Sequence, residues 1–423
     1  MNTLDNRRNW AGNYEYRARR IHFPETMDEV QELVDRCTKL KTLGTRHSFN
    51  GIADSSEHLI SLQKFDQVIR LDRDRTTVTV AGGIKYGALC QYLASEGFAL
   101  HNMASLPHIS VAGACATATH GSGDKNGNLA TAVSGMEMVI ANGELIKLTR
   151  ESGVFDGAVV HLGALGIVAQ LNLDIVPAFS VRQDVYENLP LCKLEDHFDE
   201  IVSRAYSVSM FTDWTSSTVN QIWVKSKVEG DDFDVEPHLF GAPLATTQLH
   251  PLKGMPPENC TEQLGVCGSW EERLPHFRME FTPSGGEELQ SEYFVSREHA
   301  FPALSAIDKL REHIAPLTLT SEIRTIAADK LWMSPCYERA SVALHFTWKK
   351  HWPAVSKVLP MIEEVLKPFD ARPHWGKLFT MSPTKLQSLY ARVPEFRGLM
   401  ELHDPSGKFR NQFVEKHILG RDV

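Results

Sequence analysis

One uncharged stretch of small residues limits what this 423-residue chain can fold into. Residues 101–123, HNMASLPHISVAGACATATHGSG, contain no Asp, Glu, Lys or Arg. A surface loop would carry charge, and a core helix would carry larger apolar side chains. Small Ser, Thr, Gly and Ala residues instead let the backbone run close beside a bound molecule and offer it amide and hydroxyl donors. The segment therefore predicts a protein that wraps a large ligand.

The chain on either side of this segment mixes short helices with short strands. Apolar residues recur at helical spacing in two stretches and follow strand patterns in four others, and Asn142-Gly143 is a strong signal for a two-residue hairpin turn. This mixture predicts an α+β domain over residues 10–180. The predicted elements are helices at 25–37 and 86–94, strands at 41–43, 67–72, 76–83 and 166–176, and a hairpin over 136–149.

The second half of the chain is richer in Trp, His, Phe and Pro. This change in composition places a domain boundary between Pro177 and Pro190 and predicts a second domain over residues 181–423. Its clearest elements are predicted helices at 302–316 and 353–369 and predicted strands at 318–326 and 341–349.

Two of these predicted strands carry polar residues on one face. In SVALHFTW, alternation places His345 and Thr347 opposite the large apolar side chains, and in TSEIRT it places Glu322 and Arg324 together. If the strands are neighbours, the four side chains form one polar patch. The pattern leaves two interpretations open: a solvated sheet face with a surface ion pair, or a functional polar site on an otherwise apolar sheet.

Two loop residues are further candidates. His47 lies in GTRHSFN (44–50) with no cysteine, carboxylate or second histidine nearby in sequence, and alone it would be read as a hydrogen-bonded loop histidine. Lys377 lies in the Pro/Gly-punctuated segment RPHWGKLF (372–379). A lysine there is either a point charge beside a substrate oxygen or an ordinary surface lysine.

Several functional classes find no support in the sequence. The net charge is −9 and no basic block occurs, so no nucleic-acid partner is expected. The spacing of His101, His108 and His120 fits no metal-binding pattern, and we predict no metal site. The chain lacks a dinucleotide-binding G-x-G-x-x-G after a strand, a P-loop and the G-x-S-x-G motif of serine hydrolases.

The cysteines and the hydropathy pattern predict the cellular setting. Seven cysteines are scattered along the chain without a C-x-x-C pair, which is typical of reduced thiols in a reducing compartment. No run approaches the ~18–20 apolar residues of a membrane span, and MNTLDNRRNW lacks the apolar core of a signal peptide. We expect a cytoplasmic protein without a membrane partner.

Several longer motifs resemble one flavoprotein family. GTRHSFN, VAGGIKYGAL, NMASLPHISVAGACATATHGSG and LGALGIV together are similar to the FAD domain of the vanillyl-alcohol oxidase family. The resemblance runs from about Asn9 to His417. Its second half is closer to the sugar-alcohol (alditol) oxidase branch, through CTEQLG (260–265), LPHFR (274–278), SEIRT (321–325), HFTW (345–348), RPHWGK (372–377) and DPSGKF (404–409).

This resemblance implies an α+β, two-domain FAD-binding fold of the vanillyl-alcohol oxidase type. The FAD domain would consist of two small α+β subdomains. The substrate domain would carry a mixed or antiparallel sheet with flanking helices, and its C-terminal segment would pack back on the FAD domain.

The resemblance also implies the cofactor and its contacts. FAD would be attached covalently through His47, since a neutral imidazole nitrogen is nucleophilic. Arg46 beside this histidine would contact the FAD phosphates. The remaining implied cofactor contacts are Leu43, Gly44, Thr45, Ser48, Phe49, Ser105, Ser110, Gly113, Ala116, Thr117, Ala118, Thr119, Gly121, Val168 and His374.

The implied reaction is oxidation of the terminal hydroxyl of an alditol such as xylitol or sorbitol to the aldose. A hydride would pass to flavin N5 and O2 would be reduced to H2O2. Arg324 and Lys377 would stabilise the developing alkoxide, and His345, polarised by Glu322, would be the base. The implied substrate contacts are Ser105, Glu322, Arg324, Thr347 and Lys377.

Three alternatives remain at this level. An aldonolactone oxidase or dehydrogenase would share the FAD motifs and the Glu-x-Arg pair. A flavin-binding or carbohydrate-binding protein without turnover belongs to another class, and a metal hydrolase ranks third. We expect a monomer, although no sequence pattern decides the oligomeric state.

Overall fold

The computed structural model describes residues 7–228, 235–279 and 286–421. The segments 229–234, 280–285 and 422–423, which fall in the second predicted domain, lie outside the described residues. The strands, in chain order, are β1 (Arg20–His22), β2 (Leu40–Thr42), β3 (His58–Ile60), β4 (Val68–Asp72), β5 (Thr77–Ala81), β6 (Phe98–Ala99), β7 (Val133–Val139), β8 (Leu145–Thr149), β9 (Ile167–Asp174), β10 (Val176–Pro177), β11 (Ser180–Pro190), β12 (Ser207–Thr212), β13 (Thr218–Lys227), β14 (His238–Leu239), β15 (Ala242–Pro243), β16 (Gly268–Ser269), β17 (Glu288–Ser296), β18 (Thr318–Ile326), β19 (Ser341–Lys349) and β20 (Arg372–Pro373).

The helices are shorter on average than the sequence patterns predict. Among the described residues, no helix is both long and apolar enough to cross a bilayer. In chain order the described helices are α1 (Met27–Arg36), α2 (Tyr86–Ser95), α3 (Val111–Ala116), α4 (Phe155–Ala158), α5 (Leu194–Ser203), α6 (Trp270–Arg273), α7 (Ala300–Asp308), α8 (Arg311–Ile314), α9 (Trp352–Leu366), α10 (Pro383–Ser388), α11 (Val393–His403) and α12 (Gln412–His417).

Two larger sheets and a two-stranded antiparallel sheet of β6 and β10 form the described part of the first half of the fold. A parallel sheet has the order β1-β3-β2, and an antiparallel sheet has the order β4-β5-β9-β7-β8. Alternation directs Val80 of β5 and Leu171 of β9 inward, where they share a core with Leu89 and Leu93 of α2. This is the α+β arrangement that the sequence predicts.

The second half is organised by an eight-stranded sheet of order β16-β11-β13-β12-β18-β19-β17-β20. Its neighbouring strands pair antiparallel. β18 and β19 have the predicted bounds, 318–326 and 341–349, and they are hydrogen-bonded neighbours. The predicted juxtaposition of these two strands is therefore confirmed.

The two faces of this sheet differ in polarity. Leu344, Phe346 and Trp348 of β19 pack in a core that includes residues of α5, α7 and α9. His345, on the opposite face, is only 8% exposed. The polar face is thus buried against the rest of the protein, which excludes the interpretation as a solvated sheet face.

One predicted helix is divided in the structure. The pattern over 302–316 predicts a continuous helix, but α7 ends at Asp308 and α8 begins at Arg311. The backbone N–H of Leu310 donates to the carbonyl of Ile307, three residues back, at 2.8 Å, and this tighter turn interrupts the α-helical ladder. Apolar spacing continues through the break, so the sequence pattern does not reveal it.

Backbone contacts join distant parts of the chain near the candidate residues. The N–H of Phe49 donates to the carbonyl of Gly376 at 2.7 Å, and Asn50 Nδ2 donates to the carbonyl of Lys377 at 2.8 Å. Near the C-terminus, Asn411 Nδ2 donates to the carbonyl of Asp54 at 2.8 Å. The GTRHSFN loop is therefore fixed against the segment that carries Lys377. The division into domains at residue 180 stays a prediction.

Candidate active site

A row of ionisable side chains crosses three strands on the polar face. Glu322 of β18 lies opposite His345 of β19, which lies opposite Glu292 of β17. The side chains stand on one face because antiparallel partners in register project to the same side. All three residues are buried, so each charge requires a partner inside the protein.

Glu292 holds two cations at the centre of the site. Arg324 Nη2 donates to its Oε1 and Lys377 Nζ donates to its Oε2, both at 2.8 Å. His120 Nε2 lies 3.3 Å from Oε1. Burial opposes ionisation of this carboxyl, but Lys377, His120 and Arg324 outweigh burial and hold the pKa of Glu292 well below its usual range.

Glu322 is paired with a histidine that was not predicted. His276 Nε2 lies 2.6 Å from Glu322 Oε1, and Arg324 Nε lies 3.5 Å from Oε2. Burial raises the pKa of Glu322, but Arg324 and His276 together lower it below its usual value. Among the described residues, no hydrogen bond joins His345 to Glu322, so the expected polarisation of His345 by Glu322 stays a prediction.

His345 has the properties of a proton acceptor. Its Nε2 atom is buried and has no hydrogen-bond partner among the described residues. Burial and the nearby Lys377 ammonium lower the pKa of His345 well below its usual value. The imidazole is therefore neutral near pH 7, and one of its nitrogens is available to a ligand.

The other predicted substrate and ring contacts lie around this row. Arg324 Nη1 is 3.4 Å from Ser105 Oγ, and Thr347 is buried on β19 two residues from His345. The backbone N–H of His374 donates to the carbonyl of Glu292 at 3.0 Å. Burial, with Lys377 nearby, lowers the pKa of His374 to about 3, so this ring is neutral too.

The charges of the site balance. Two carboxylates, Glu292 and Glu322, face two cations, Arg324 and Lys377, and the imidazoles are neutral. A ligand with a full charge would leave one of these buried groups uncompensated, at a high cost in free energy. The arrangement fits an uncharged ligand that both donates and accepts hydrogen bonds.

His47 lies in a loop that is built to expose its ring on one side. Its imidazole stacks on the ring of Trp10 with centroids 5.3 Å apart, and its Nδ1 lies 3.1 Å from Thr45 Oγ1. Burial lowers the pKa of His47 to about 4. Arg46 has a left-handed backbone, with φ of 65°, which turns the loop at the residue before His47.

The loop meets the small-residue segment closely enough to form a cradle. The N–H of Ser110 donates to Thr45 Oγ1 at 3.2 Å, and a Cβ added to Gly44 or Gly113 would lie 2.7 Å from Ser110 Oγ. Thr117 and Thr119 place their hydroxyls 3.3 Å apart at the end of α3. Uncharged donors along bare backbone are what a long dinucleotide requires, so these residues fit FAD.

The structure places the remaining predicted cofactor residues in three positions. Val168 is buried on β9, and its carbonyl would lie 2.2 Å from a Cβ on Gly82. Ala118 has a left-handed backbone, with φ of 54°. The others lie in the same two segments: Leu43, Ser48 and Phe49 in or beside the GTRHSFN loop, and Ala116 and Gly121 in or after α3.

Sequence reasoning did not predict the positions of Glu292, His276 and His120 in the site. Glu292 stands in QSEYFVS, where Ser291 separates it from Gln290, so no clean alternation of polar and apolar residues marks it. His276 lies outside the described helices and strands, and no periodicity marks it. His120 was weighed as a metal ligand, whereas the structure places it beside Glu292.

Two family models match the chain. The model "FAD binding domain" covers residues 18–149, and the model "D-arabinono-1,4-lactone oxidase" covers residues 287–417. The first contains the GTRHSFN loop and the small-residue segment. The second contains Glu292, the Glu322–Arg324 pair and Lys377.

Curated relatives cover nearly the whole chain. The alditol oxidase of a Streptomyces species is 47% identical over 97% of this chain and 99% of its own length. The L-gulonolactone oxidase of Mus musculus is 27% identical over 96% and 97%, and the L-gulono-1,4-lactone dehydrogenase of Mycobacterium tuberculosis is 26% identical over 94% of each chain.

Solved structures share the fold. A cholesterol oxidase from B. sterolicum superposes with a TM-score of 0.80 at 14% identity, covering 97% of this chain and 96% of that one. A carbohydrate oxidase from Microdochium nivale gives a TM-score of 0.75 at 14% identity, covering 97% and 94%. With its FAD-binding half and its near full-length similarity to alditol oxidase, the chain belongs to the alditol oxidase branch of the vanillyl-alcohol oxidase flavoprotein family.

Proposed function

We propose that this protein oxidises the terminal hydroxyl of an alditol to the aldehyde of the aldose, with O2 as the acceptor and H2O2 as the second product. The observation that carries the proposal is the row of Glu322, His345 and Glu292, whose two carboxylates are balanced by Arg324 and Lys377. The segment of Lys377 also contacts the loop that carries His47. The 47% identity to an alditol oxidase over nearly the full length supports the choice of substrate class.

FAD, when bound, supplies the acceptor for the hydride of the carbinol carbon and passes both electrons to O2. We infer that it is held covalently through His47. A neutral, partly buried imidazole can form such a bond, and the stacked ring of Trp10 fixes its orientation. Thr45, Ser110 and Thr117 would hold the rest of the cofactor with uncharged donors.

The residues around Glu292 would bind and activate the reacting hydroxyl. Arg324 and Lys377 lie side by side, because each donates a hydrogen bond to one oxygen of the Glu292 carboxylate. Glu292 therefore orients both positive charges. As the hydroxyl proton leaves, negative charge develops on the oxygen, and preorganised cations stabilise it more in the transition state than in the ground state. His345 Nε2, which is buried and unpartnered among the described residues, would take the proton.

The remaining polar groups would bind the hydroxyls that do not react. Glu322 accepts hydrogen bonds, Arg324 donates them, and Ser105 and Thr347 can do either. Each polyol hydroxyl needs both a donor and an acceptor, and the site offers both kinds without an uncompensated charge. This supports a polyol over a carboxylate or phosphate substrate.

The pH dependence follows from the neutral His345. Because its pKa lies well below 6.5, the base form predominates across pH 6–8. We therefore expect kcat/KM for a polyol to show no acid limb near pH 6.5. Steady-state rates from pH 5 to 8 check this, and a limb at pH 6.5 that disappears in His345→Gln would contradict the assignment.

A panel of reductants tests the function against its rival. Xylitol and sorbitol are compared with gulono-1,4-lactone and galactono-1,4-lactone, and H2O2 is measured under air. Peroxide from the polyols, with no more than weak turnover of the lactones, supports the proposal. Turnover of the lactones alone would replace it with lactone oxidation, the activity in the names of the less similar relatives. Bound flavin without turnover of any of them would indicate a binding protein.

The proposal includes a monomeric enzyme in a reducing compartment. All seven cysteines are unpaired in the structure, which supports a cytoplasmic setting. The site is assembled from one chain, since its ionic partners, Glu292, Arg324, Lys377 and Glu322, lie on a single sheet and its adjoining segment.

A further inference from the structure

A buried lysine outside the described site is fully hydrogen-bonded. Lys225 on β13 is 1% exposed, and its Nζ donates to the carbonyls of Leu274 at 2.7 Å and Pro275 at 2.9 Å. The third neighbour is His276 Nδ1 at 3.3 Å. Three acceptors match the three donors of an ammonium group, so this environment fits the protonated form.

This contact determines the tautomer of His276. Because Nδ1 accepts from Lys225, the ring proton resides on Nε2, and Nε2 donates to Glu322 Oε1 at 2.6 Å. Phe211 and Trp223 hold the imidazole edge-to-face, with centroids 5.5 and 5.3 Å away. The ring therefore has one orientation and one proton position.

We propose that Lys225 and His276 are positioning residues that present Glu322, fixed through Oε1, to the hydroxyls of the substrate. This inference rests on the proposed function, because it assumes that Glu322 binds a polyol. Glu322 Oε2, 3.5 Å from Arg324 Nε, is the oxygen left to accept from the ligand. Neither Lys225 nor His276 needs to touch the substrate.

The geometry favours a positioning role over a purely structural one. Burying an ammonium and a carboxylate costs free energy that well-packed apolar residues would avoid. Here the buried groups form a continuous line from β13 to a carboxylate of the polar row, and the line ends at the side chain proposed to bind ligand. A lysine that only filled space would not need His276 between itself and Glu322.

His276→Phe and His276→Gln test the proposal in the flavin-loaded enzyme. Both are assayed with xylitol at pH 6.5. Burial lowers the pKa of Lys225 to about 7, and at pH 6.5, below that pKa, the ammonium form of Lys225 still predominates. His276→Phe removes a hydrogen bond to a charged group, so KM should rise about 10- to 100-fold with kcat changed less than about 3-fold. His276→Gln retains an acceptor and a donor, and it should recover most of the wild-type KM.

A double-mutant cycle tests whether Lys225 and His276 act as a relay, in which Lys225 positions Glu322 through His276, or act independently. Lys225→Met should raise KM alone but add little once His276 is Phe, because Lys225 acts through His276. The double variant replaces both polar groups by apolar ones, so it avoids the unpaired buried imidazole nitrogen that Lys225→Met alone would leave. Flavin content and Tm are measured for every variant.

The outcomes distinguish this inference from the proposed function. A wild-type enzyme that does not oxidise polyols refutes the function. A wild type that turns over xylitol, with His276→Phe at the wild-type KM or with additive effects in the cycle, overturns the relay alone. An equal rise in KM in His276→Phe and His276→Gln also overturns the relay, since the glutamine amide preserves the hydrogen bonds.

A second observation concerns the small parallel sheet. His22 at the end of β1, Cys37 directly after α1 and His58 at the start of β3 each bring one ligand atom within 4.8 Å of the other two. His22 Nε2 lies 3.0 Å from His58 Nδ1. The three residues are separate in sequence from the histidines weighed as metal ligands above.

We infer that these residues form a binding site for a borderline-soft divalent cation such as Zn²⁺. Two imidazole nitrogens and one thiolate are ligands that Zn²⁺ prefers. Zn²⁺ lies about 2.0–2.3 Å from such ligand atoms, and the distances between the three ligand atoms here are close to those that one shared ion would require. A bound ion would join β1, β3 and the end of α1, next to β2, which leads into the GTRHSFN loop.

Zinc titration of the chelator-treated, flavin-loaded protein tests this site. We expect about one bound Zn²⁺ per chain and a Tm that rises with free Zn²⁺ in the wild type. Cys37→Ser and His58→Gln should lose both effects. Cys192→Ser, which removes an exposed thiol elsewhere, should keep them. The inference would be overturned if the wild type bound no Zn²⁺, or if Cys37→Ser and His58→Gln bound Zn²⁺ as well as the wild type does.

Discussion

Replacing Arg324 with alanine is expected to lower kcat by about 100- to 1000-fold, the range seen when a preorganised donor to a developing oxyanion is removed. Arg324 is 5% exposed, and its guanidinium joins Glu292, Glu322 and Ser105. Without it, one cation remains for the developing alkoxide, and Glu322 keeps only its hydrogen bond with the neutral His276. Stopped-flow reduction by xylitol under anaerobic conditions measures the affected step directly.

Two companion variants sharpen this result. Arg324→Lys keeps a charge but not the planar fork that reaches Glu292 and Ser105 together, so its kcat should fall between those of the wild type and Arg324→Ala. Arg182→Ala removes a partly buried arginine of the same sheet, on β11, that pairs with Asp184, and should leave kcat within about 2-fold. Unchanged turnover in Arg324→Ala would end the alkoxide assignment, and loss of bound flavin would assign Arg324 to the fold instead.

The strand that carries Arg324 shows what sequence reasoning can achieve here. Alternation in TSEIRT and SVALHFTW predicted which side chains share a face, and the register of β18 and β19 confirms that Glu322 and His345 are direct neighbours. A period of two is a local property of the backbone, so it can be read without knowing the fold. Burial of that face is a tertiary property, and the pattern alone left it open.

The parts that sequence reasoning missed depend on long-range contacts. Glu292 acquires its role from Arg324, 32 residues away, and from Lys377, 85 residues away. His276 acquires its role from Lys225 and Glu322, about 50 residues away in each direction. Neither has a local signature, because a carboxylate in a strand and a histidine in a loop are each ordinary alone. Only the pairing of distant segments distinguishes them.

Replacing His47 with alanine is expected to abolish covalent attachment of the flavin completely, because no other residue is proposed to supply the bond. In the wild type, yellow colour should stay with the protein after acid precipitation, and the denatured band should fluoresce after electrophoresis. In His47→Ala the flavin should appear in the supernatant. The cradle of Thr45, Ser110 and Thr117 remains in that variant, so FAD should still bind reversibly.

The activity of His47→Ala separates the tether from the chemistry. A histidyl bond raises the potential of the flavin as a hydride acceptor, so the reduction rate with xylitol should fall while KM changes little. His238→Ala, at an exposed histidine of β14, is the matched control and should retain fully covalent flavin. If acid releases the flavin of the wild type as well, then His47 serves only as a neutral ring stacked on Trp10, and the FAD is held by the hydrogen bonds of the cradle alone.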